Sequence, residues 1–578
     1  SRPLGEGGCE RSEQTEGVSR TPIQTAPAPL PGNFCQWGGW VATKKKGAFS
    51  MRKAFKKLLA SLLALAMVCA LAAPVFADTT SQGSFDKHSF NGYQIFTGTY
   101  DTTSKKLTNV EWGNGVKSGD LLTDLVAEFS GTFTADMTAQ QVAKKLDGWA
   151  ATDDNTINFT KVVSKHLAAT PTCSNVSSTT LNFPSAGYYL VVDASVLSDH
   201  DAASMNMLKV QDAGNITITS KVVKPTLTTR VRKRDGTTWD TAADYQTGDT
   251  VKITMTATLP ASADKAYDFY EAYRIAFNST YSGGIDVAKL SVESATITET
   301  NGTAIDLTPG SYTNIHDSAY QTFTFTTGDL KQTGVDLNNG ATVEVVYTTT
   351  LTSSATTTFG DSNTAVSTAN TFSTTLHYFN DPKNSAAAKN PVEDYGTHTP
   401  AQNLYLFTYG VKNTKYKDEV KAGNELAGAG FTLYDSTGTT PIKLNQDSAD
   451  RYYYPVNDAG AMTEIYSATD GTFNIKGLAP GTYILKETAT PTGYNTCKDI
   501  TIKIISRPDY YSPFAGLSSC RVDLSGSQNM INDKIVDLSG VVLPSTGGIG
   551  TTIFYVVGGL LMVGAAVLLV TKKRMQKN

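Results

Sequence analysis

A chain of 578 residues exceeds what one hydrophobic core organises, so several domains are expected, with three as the simplest count. Hydrophobic residues make up 40% and charged residues 18%, the proportions of folded globular domains. The formal net charge of −4 and pI near 5.9 leave no basic footprint, which argues against nucleic acid as a partner.

Residues 1–50 are rich in Gly, Pro and Ser without periodicity and read as an upstream extension foreign to the working protein. From Met51 the chain runs MRKAFKKLLASLLALAMVCALAAPVFA, with Arg52, Lys53, Lys56 and Lys57 ahead of an apolar stretch and small residues around Ala77. A cationic flank, an apolar run and an A-x-A-like end, in that order, form a secretory signal peptide over 51–77. Met51 is the expected start, cleavage follows Ala77, and the mature chain begins near Asp78.

Three modules are expected next, 78–220, 221–390 and 403–536, with turn-rich breaks at Lys224-Pro225, between Asn390 and Pro400, and from Asp537 to Gly540. Thr, Tyr and Val in alternating runs predict an all-β architecture of tandem immunoglobulin-like sandwiches. The first module carries one helical elaboration. Thr138 is its N-cap, Gln141 completes a capping box, Met137 and Val142 form a hydrophobic staple, and the helix ends at Asp147-Gly148. Period-two alternation is clearest in the middle module, where Val251, Ile253, Met255, Ala257 and Leu259 share one face and Val343, Val345, Tyr347 and Leu351 another.

At the far end, Leu543-Pro544-Ser545-Thr546-Gly547 precedes a mostly apolar stretch over 549–570, long enough to cross a bilayer, and a basic tail over 571–578. Positive residues stay cytoplasmic, so the body of the protein lies outside the cell. Pentapeptide, span and basic tail together resemble the cell-wall sorting signal of sortase substrates. That resemblance implies attack by a sortase cysteine on the Thr546 carbonyl, cleavage between Thr546 and Gly547, and transfer of the acyl group to an amine.

Cys9, Cys35 and Cys69 lie in segments that processing removes, leaving Cys173, Cys497 and Cys520. Cys497 and Cys520 flank neighbouring strand-like runs and either form a disulfide or remain two thiols; Cys173 has no evident partner. The six histidines (His88, His166, His200, His316, His377 and His398) form no metal-ligand pattern, so no metal site and no cofactor are expected.

After Met51 the whole chain resembles the backbone pilins of Gram-positive bacteria. In the first module Tyr93 to Gly98, Val110 to Gly113 and Gly187 to Leu190 are similar to the N-terminal pilin domain. In the third, Thr408 to Lys415, Leu426 to Ala429, and Tyr483-Ile484-Leu485-Lys486-Glu487-Thr488 leading to Pro491-Thr492-Gly493-Tyr494 resemble a collagen-adhesin B-type domain. That likeness implies an intramolecular isopeptide bond from Lys415 to Asn532 with Glu487 as the assisting acid. Burial disfavours charge on amine and carboxyl alike, which leaves a neutral nucleophile and a protonated acid. The middle module departs from the pattern. Asn380 and Asp249 stand at the acceptor and acid positions, but Thr229-Arg230 replaces the expected lysine, with Lys233 as a substitute; Arg stays charged and cannot attack. In the first module Asp193 occupies the acid position without a lysine partner.

Shaft pilins carry a Tyr-Pro-Lys-like element at the exit of the first domain, and Ile216 to Lys221 followed by Val222 to Leu227 matches its register, although Thr219 and Ser220 replace the Tyr and Pro. Lys221 is therefore the expected donor for polymerisation and Lys224 the alternative. Three function classes follow. The first is a shaft subunit polymerised through Lys-to-Thr isopeptide bonds and finally anchored to peptidoglycan, serving adhesion and colonisation. The second is an ancillary pilin or monomeric wall-anchored adhesin that binds a host ligand. The third, a wall-anchored enzyme, is disfavoured because no catalytic constellation is present. The implied partners are a pilus-specific and a housekeeping sortase, identical subunits head to tail, ancillary pilins, peptidoglycan and host surface ligands.

Overall fold

Side chains alternate between the two faces of a strand, so runs with apolar residues at every second position fold into sheets that bury one face; the computed structural model is built from such runs almost throughout. The structure describes residues 88–198, 200–359, 363–364, 369–385, 389–392, 397–509, 519–524, 532–541 and 549–576. The chain divides into two units, 1–82 and 83–578. The first, which holds the expected signal peptide and its cleavage residue Ala77, lies outside the described residues, as does the Leu543 to Gly547 pentapeptide.

The first part of the second unit is an antiparallel sheet in the order Lys106–Trp112, Phe90–Asp101, Gly187–Asp193, Met205–Val210. Strand Gly187–Asp193 is buried on both faces. Leu190 and Val192 pack with Leu121, Leu125, Phe159 and Val163 of the helices, whereas Tyr189 and Val191 pack with Leu181 and Phe183 of a small second sheet. The Thr138-capped helix spans Ala139–Leu146, and both hydrogen bonds of its capping box are present. Two further helices, Ser118–Glu128 and Asp154–Lys165, correct the expectation of a single one. Thr156 to Thr160 reads as polar–apolar alternation, and packing against the sheet favours the helix over that local pattern.

The middle part is a sandwich of two six-stranded sheets. One runs Ala242–Asp244, Gln402–Phe407, Asn370–Tyr378, Ile275–Tyr281, Thr322–Thr327, Tyr312–Asp317. The other runs Ala304–Asp306, Ser291–Glu299, Ala341–Thr350, Thr250–Leu259, Thr226–Arg232, Trp239–Asp240. Val251, Ile253, Met255, Ala257, Leu259, Val343, Val345, Tyr347 and Leu351 all point into its core. Strand Gln402–Phe407, placed in the third module by the turn signals, pairs with Asn370–Tyr378 and so belongs to this sandwich.

The third part is another two-sheet sandwich around Tyr409, Val411, Phe431, Leu433, Ile475, Leu485 and Ile535. Its first strand, Tyr409–Lys417, pairs antiparallel with Ile475–Leu478 and parallel with the last strand, Asn532–Asp537. The middle part reaches into both of its sheets: Thr358–Phe359 pairs with Tyr409 and Gly410, and Asn363–Thr364 pairs with Cys520 and Arg521. At the end of the chain, helix Ile549–Met575 carries Lys572, Lys573 and Arg574 in its last turn, and an 18-residue window within its stretch Thr552–Met575 has a mean hydropathy of 2.6, apolar and long enough to cross a bilayer.

Candidate functional site

Alternation along three strands of the third sandwich brings three ionisable side chains to one point. On Tyr409–Lys417 the inward positions are Val411, Asn413 and Lys415. On Gly481–Ala489 they are Tyr483, Leu485 and Glu487. Parallel pairing sets Ile535 opposite Lys415 and Asp537 opposite Lys417, so Asp537, on the same face as the buried Ile535, reaches the Lys415 amine. The side chains of Lys415, Glu487 and Asp537 are all 0% exposed. Lys415 Nζ contacts Asp537 Oδ1 directly, lies 3.4 Å from Glu487 Oε1, and sits 5.2 Å from the centre of the Phe431 ring.

Glu487 Oε2 accepts from the main-chain N–H of Cys497 at 2.7 Å, while Glu487 Oε1 and Asp537 Oδ2 have no hydrogen-bond partner. Burial pushes the Asp537 carboxyl up to about 6 against the opposing pull of Lys415, and Glu487 adds to the rise. A buried ion pair is held at a large desolvation cost. Joining the amine to the carboxyl removes both charges, and this is the chemistry such a cluster favours.

The side chain that meets the Lys415 amine is therefore Asp537 and not the expected Asn532. Asn532 pairs with Lys412, five positions before Asp537, which at about 3.3 Å per residue is roughly 17 Å away along the strand. The register of a parallel pair cannot be read from composition, and the last strand offers several Asx residues. The usable signal was alternation, because Asp537 shares its face with the apolar Ile535.

A second buried lysine provides the contrast. Lys476 Nζ lies 2.7 Å from Asp447 and 2.7 Å from Asp450, which remain partly exposed. Although burial works against its charge, those two hydrogen bonds hold the Lys476 amine above its ordinary value, and Lys476 in turn holds Asp447 below the usual carboxylate range. This is a settled ion pair. The Lys415 cluster, with a carboxyl driven toward its neutral form, is not.

The candidate residues of the middle sandwich are not brought together. Lys233 pairs with Asp240 at 2.9 Å and Asp249 with Arg234 at 2.9 Å, beside the turn where Thr247 donates to the Gly477 carbonyl of the third sandwich. Asn380 is buried where its carbonyl accepts from Ala203 of the first part, and its side-chain amide donates to Thr397. Lys415 and Lys476 are the buried lysines among the described residues, and Thr229 occupies the inward position on strand Thr226–Arg232. In the first part the partner of Asp193 is a residue overlooked in the sequence, His88. Its Nδ1 lies 2.6 Å from Asp193 and its Nε2 3.0 Å from Asp201, which also binds Lys224 at 2.9 Å. Lys221 Nζ is 3.4 Å from the exposed Asp264.

Cys173 and Cys497 are free thiols, so of the two alternatives left open for Cys497 the structure has the unpaired one. Cys520 pairs with Pro508 on strand Ile500–Asp509, eight residues beyond the end nearest Cys497; at about 3.3 Å per residue the separation is roughly 26 Å, far beyond disulfide reach.

Residues 412–510 match the family described as SpaA, a prealbumin-like fold domain, and residues 539–577 match the LPXTG cell wall anchor motif. No curated protein matches the chain. Among solved structures it is similar to the pilus 2b backbone protein of group B streptococcus, at 23% identity over 52% of this chain and 97% of that one, with a TM-score of 0.34. It is also similar to the T6 backbone pilin of serotype M6 Streptococcus pyogenes, at 13% identity over 79% and 97%, TM-score 0.43. A third is the major pilin SpaA of Corynebacterium diphtheriae, at 13% identity over 78% and 95%, TM-score 0.40. The anchor match, with the apolar helix and its basic end, makes this a sortase substrate anchored at the cell wall.

Proposed function

We propose that the chain is the repeating shaft subunit of a sortase-built surface pilus, joined from Lys221 of one copy to Thr546 of the next and braced internally by an amide between Lys415 and Asp537. The observation that carries this reading is the dry contact of the Lys415 amine with Asp537, on the strand that leads straight into the sorting signal. Tension arriving from Thr546 reaches Asp537 first. An amide there passes the load to Lys415 and on toward the middle sandwich, so that residues 416–536 bear none of it.

The internal bond needs a neutral amine and a neutral acid. Moving one proton across the Lys415–Asp537 contact supplies both and removes two buried charges. Lys415 Nζ then attacks Asp537 Cγ, Glu487 relays the amine proton to the departing hydroxyl, and the C–O bond breaks as water leaves. One C–N bond is gained and one water is lost.

Between subunits, the sortase thiol displaces Gly547 from the Thr546 carbonyl, and a lysine amine displaces the thiol to form the amide. Lys221 suits the donor role better than Lys224. Its amine meets one exposed carboxylate at 3.4 Å, whereas Lys224 is held at 2.9 Å by Asp201 in the His88 network. Head-to-tail joining of one surface to a different one generates an open filament.

The test is a denaturing gel of wall extracts. Wild type is expected to give a high-mass ladder and Lys221→Arg only monomer. A ladder that persists in Lys221→Arg and disappears in Lys224→Arg moves the donor by three residues. One wall-linked band in wild type replaces the shaft by a monomeric adhesin.

A further inference from the structure

Cys497 faces two ways. On one side its sulfur lies with a Glu487 and an Asp537 carboxylate oxygen in a group of atoms within 4.8 Å of one another. On the other it lines a cleft of about 570 Å³ between residues 495–501 and 534–538. Its main-chain N–H donates to Glu487 Oε2 at 2.7 Å, and its sulfur lies within 4.8 Å of an oxygen of the same carboxyl. With Glu487 held from the Cys497 side, the oxygen left toward the amine is Oε1, 3.4 Å from Lys415 Nζ and otherwise without a hydrogen-bond partner.

We propose that Cys497 is a positioning residue for closure of the Lys415–Asp537 bond: its protonated thiol donates to Glu487 and keeps the free oxygen of that carboxyl turned toward the reacting amine. The inference rests on the reading of Lys415 and Asp537 as the bonded pair. Burial, then Glu487 against the opposing pull of Lys415, pushes the thiol up to about 12, so the sulfur is a hydrogen-bond donor and not a thiolate nucleophile. A thiol is a weak donor in water, but in a dry site a buried carboxyl left short of a partner is expensive, and a weak donor then contributes. The ionisable groups facing it are Glu487, Asp537 and Lys415, with Lys498, Asp499 and Lys534 along the cleft.

Two measurements test this on the mature chain. In the first, chain recovered unfolded is allowed to fold between pH 5 and 8, and water loss is timed by intact mass. Cys497→Ala is expected to fold normally and close about tenfold more slowly with an altered pH profile, the cost of roughly one hydrogen bond to a buried carboxyl, and Cys497→Ser to restore most of the rate. A wild-type rate and profile in Cys497→Ala overturns the proposal. The second is the infrared S–H stretch of Cys497, expected at the lowered frequency of a donating thiol and returning to the free value in Glu487→Ala. A free-thiol frequency in the wild type overturns the proposal whether or not the bond forms. Failure of the wild type to lose water, with the lowered frequency present, overturns the Lys415–Asp537 reading instead.

Discussion

Replacing Glu487 by Gln keeps the size of the side chain and removes its ability to relay a proton, so Lys415 and Asp537 are expected to stay unjoined. The amide would close a loop between residues 122 apart in sequence, and loop-closure entropy on that scale is worth about 5 kcal/mol. For a sandwich of about 135 residues, each kcal/mol moves the melting point by roughly 3 °C, so the third sandwich is expected to melt about 15 °C lower in Glu487→Gln. Intact mass and differential scanning calorimetry on the mature chain measure both consequences. The variant should weigh one water more than the wild type after allowance for the substitution, with its loss of stability confined to the transition of the third sandwich. A wild-type chain with its full unreacted mass, or a Glu487→Gln chain that still loses water, would refute the assignment. A regained water with no shift in melting would leave the bond standing but refute the entropic account of its stabilisation.

Other outcomes follow from the same geometry. Asp537→Asn puts an amide where the acid was, so closure would expel ammonia in place of water and yield a product of the same mass as closed wild type; Asn532→Ala should leave closure unaffected, and loss of closure in Asn532→Ala with retention in Asp537→Ala would reverse the two roles. The Asp537 carboxyl is raised to about 6, so below that pH the Lys415–Asp537 pair carries one proton too many, and the one-proton state from which a single transfer yields neutral amine and neutral acid is reached as the pH rises through it. Closure of newly folding chain should therefore slow below about pH 6; a rate that keeps rising as the pH falls to 5 would refute the shared-proton route. Because no lysine is buried within the middle sandwich among the described residues, that sandwich should yield first under tension. Single-molecule pulling should release about 180 residues, roughly 600 Å of contour length, before the third sandwich opens; rupture without such an extension would show that a different element carries the load.

Local chemistry written within a few residues was legible from the sequence. The Thr138 capping box, the buried faces of Thr250–Leu259 and Ala341–Thr350, and the apolar span with its basic end all follow from short-range rules about backbone geometry and solvation. Lys415 and Glu487 were named together through the likeness to a collagen-adhesin B-type domain, and the structure sets each at an inward position of its strand. What joined them was not legible. Which Asx residue meets Lys415 depends on the register of two parallel strands far apart in sequence, and a shift of a few residues moves the acceptor from Asn532 to Asp537 without altering any local pattern. The helix Asp154–Lys165, the His88 partner of Asp193 and the thiol of Cys497 beside Glu487 belong to the same class. Each is decided by what the tertiary fold packs against it, since propensity and spacing are summed along the chain whereas burial and hydrogen bonding are settled across it.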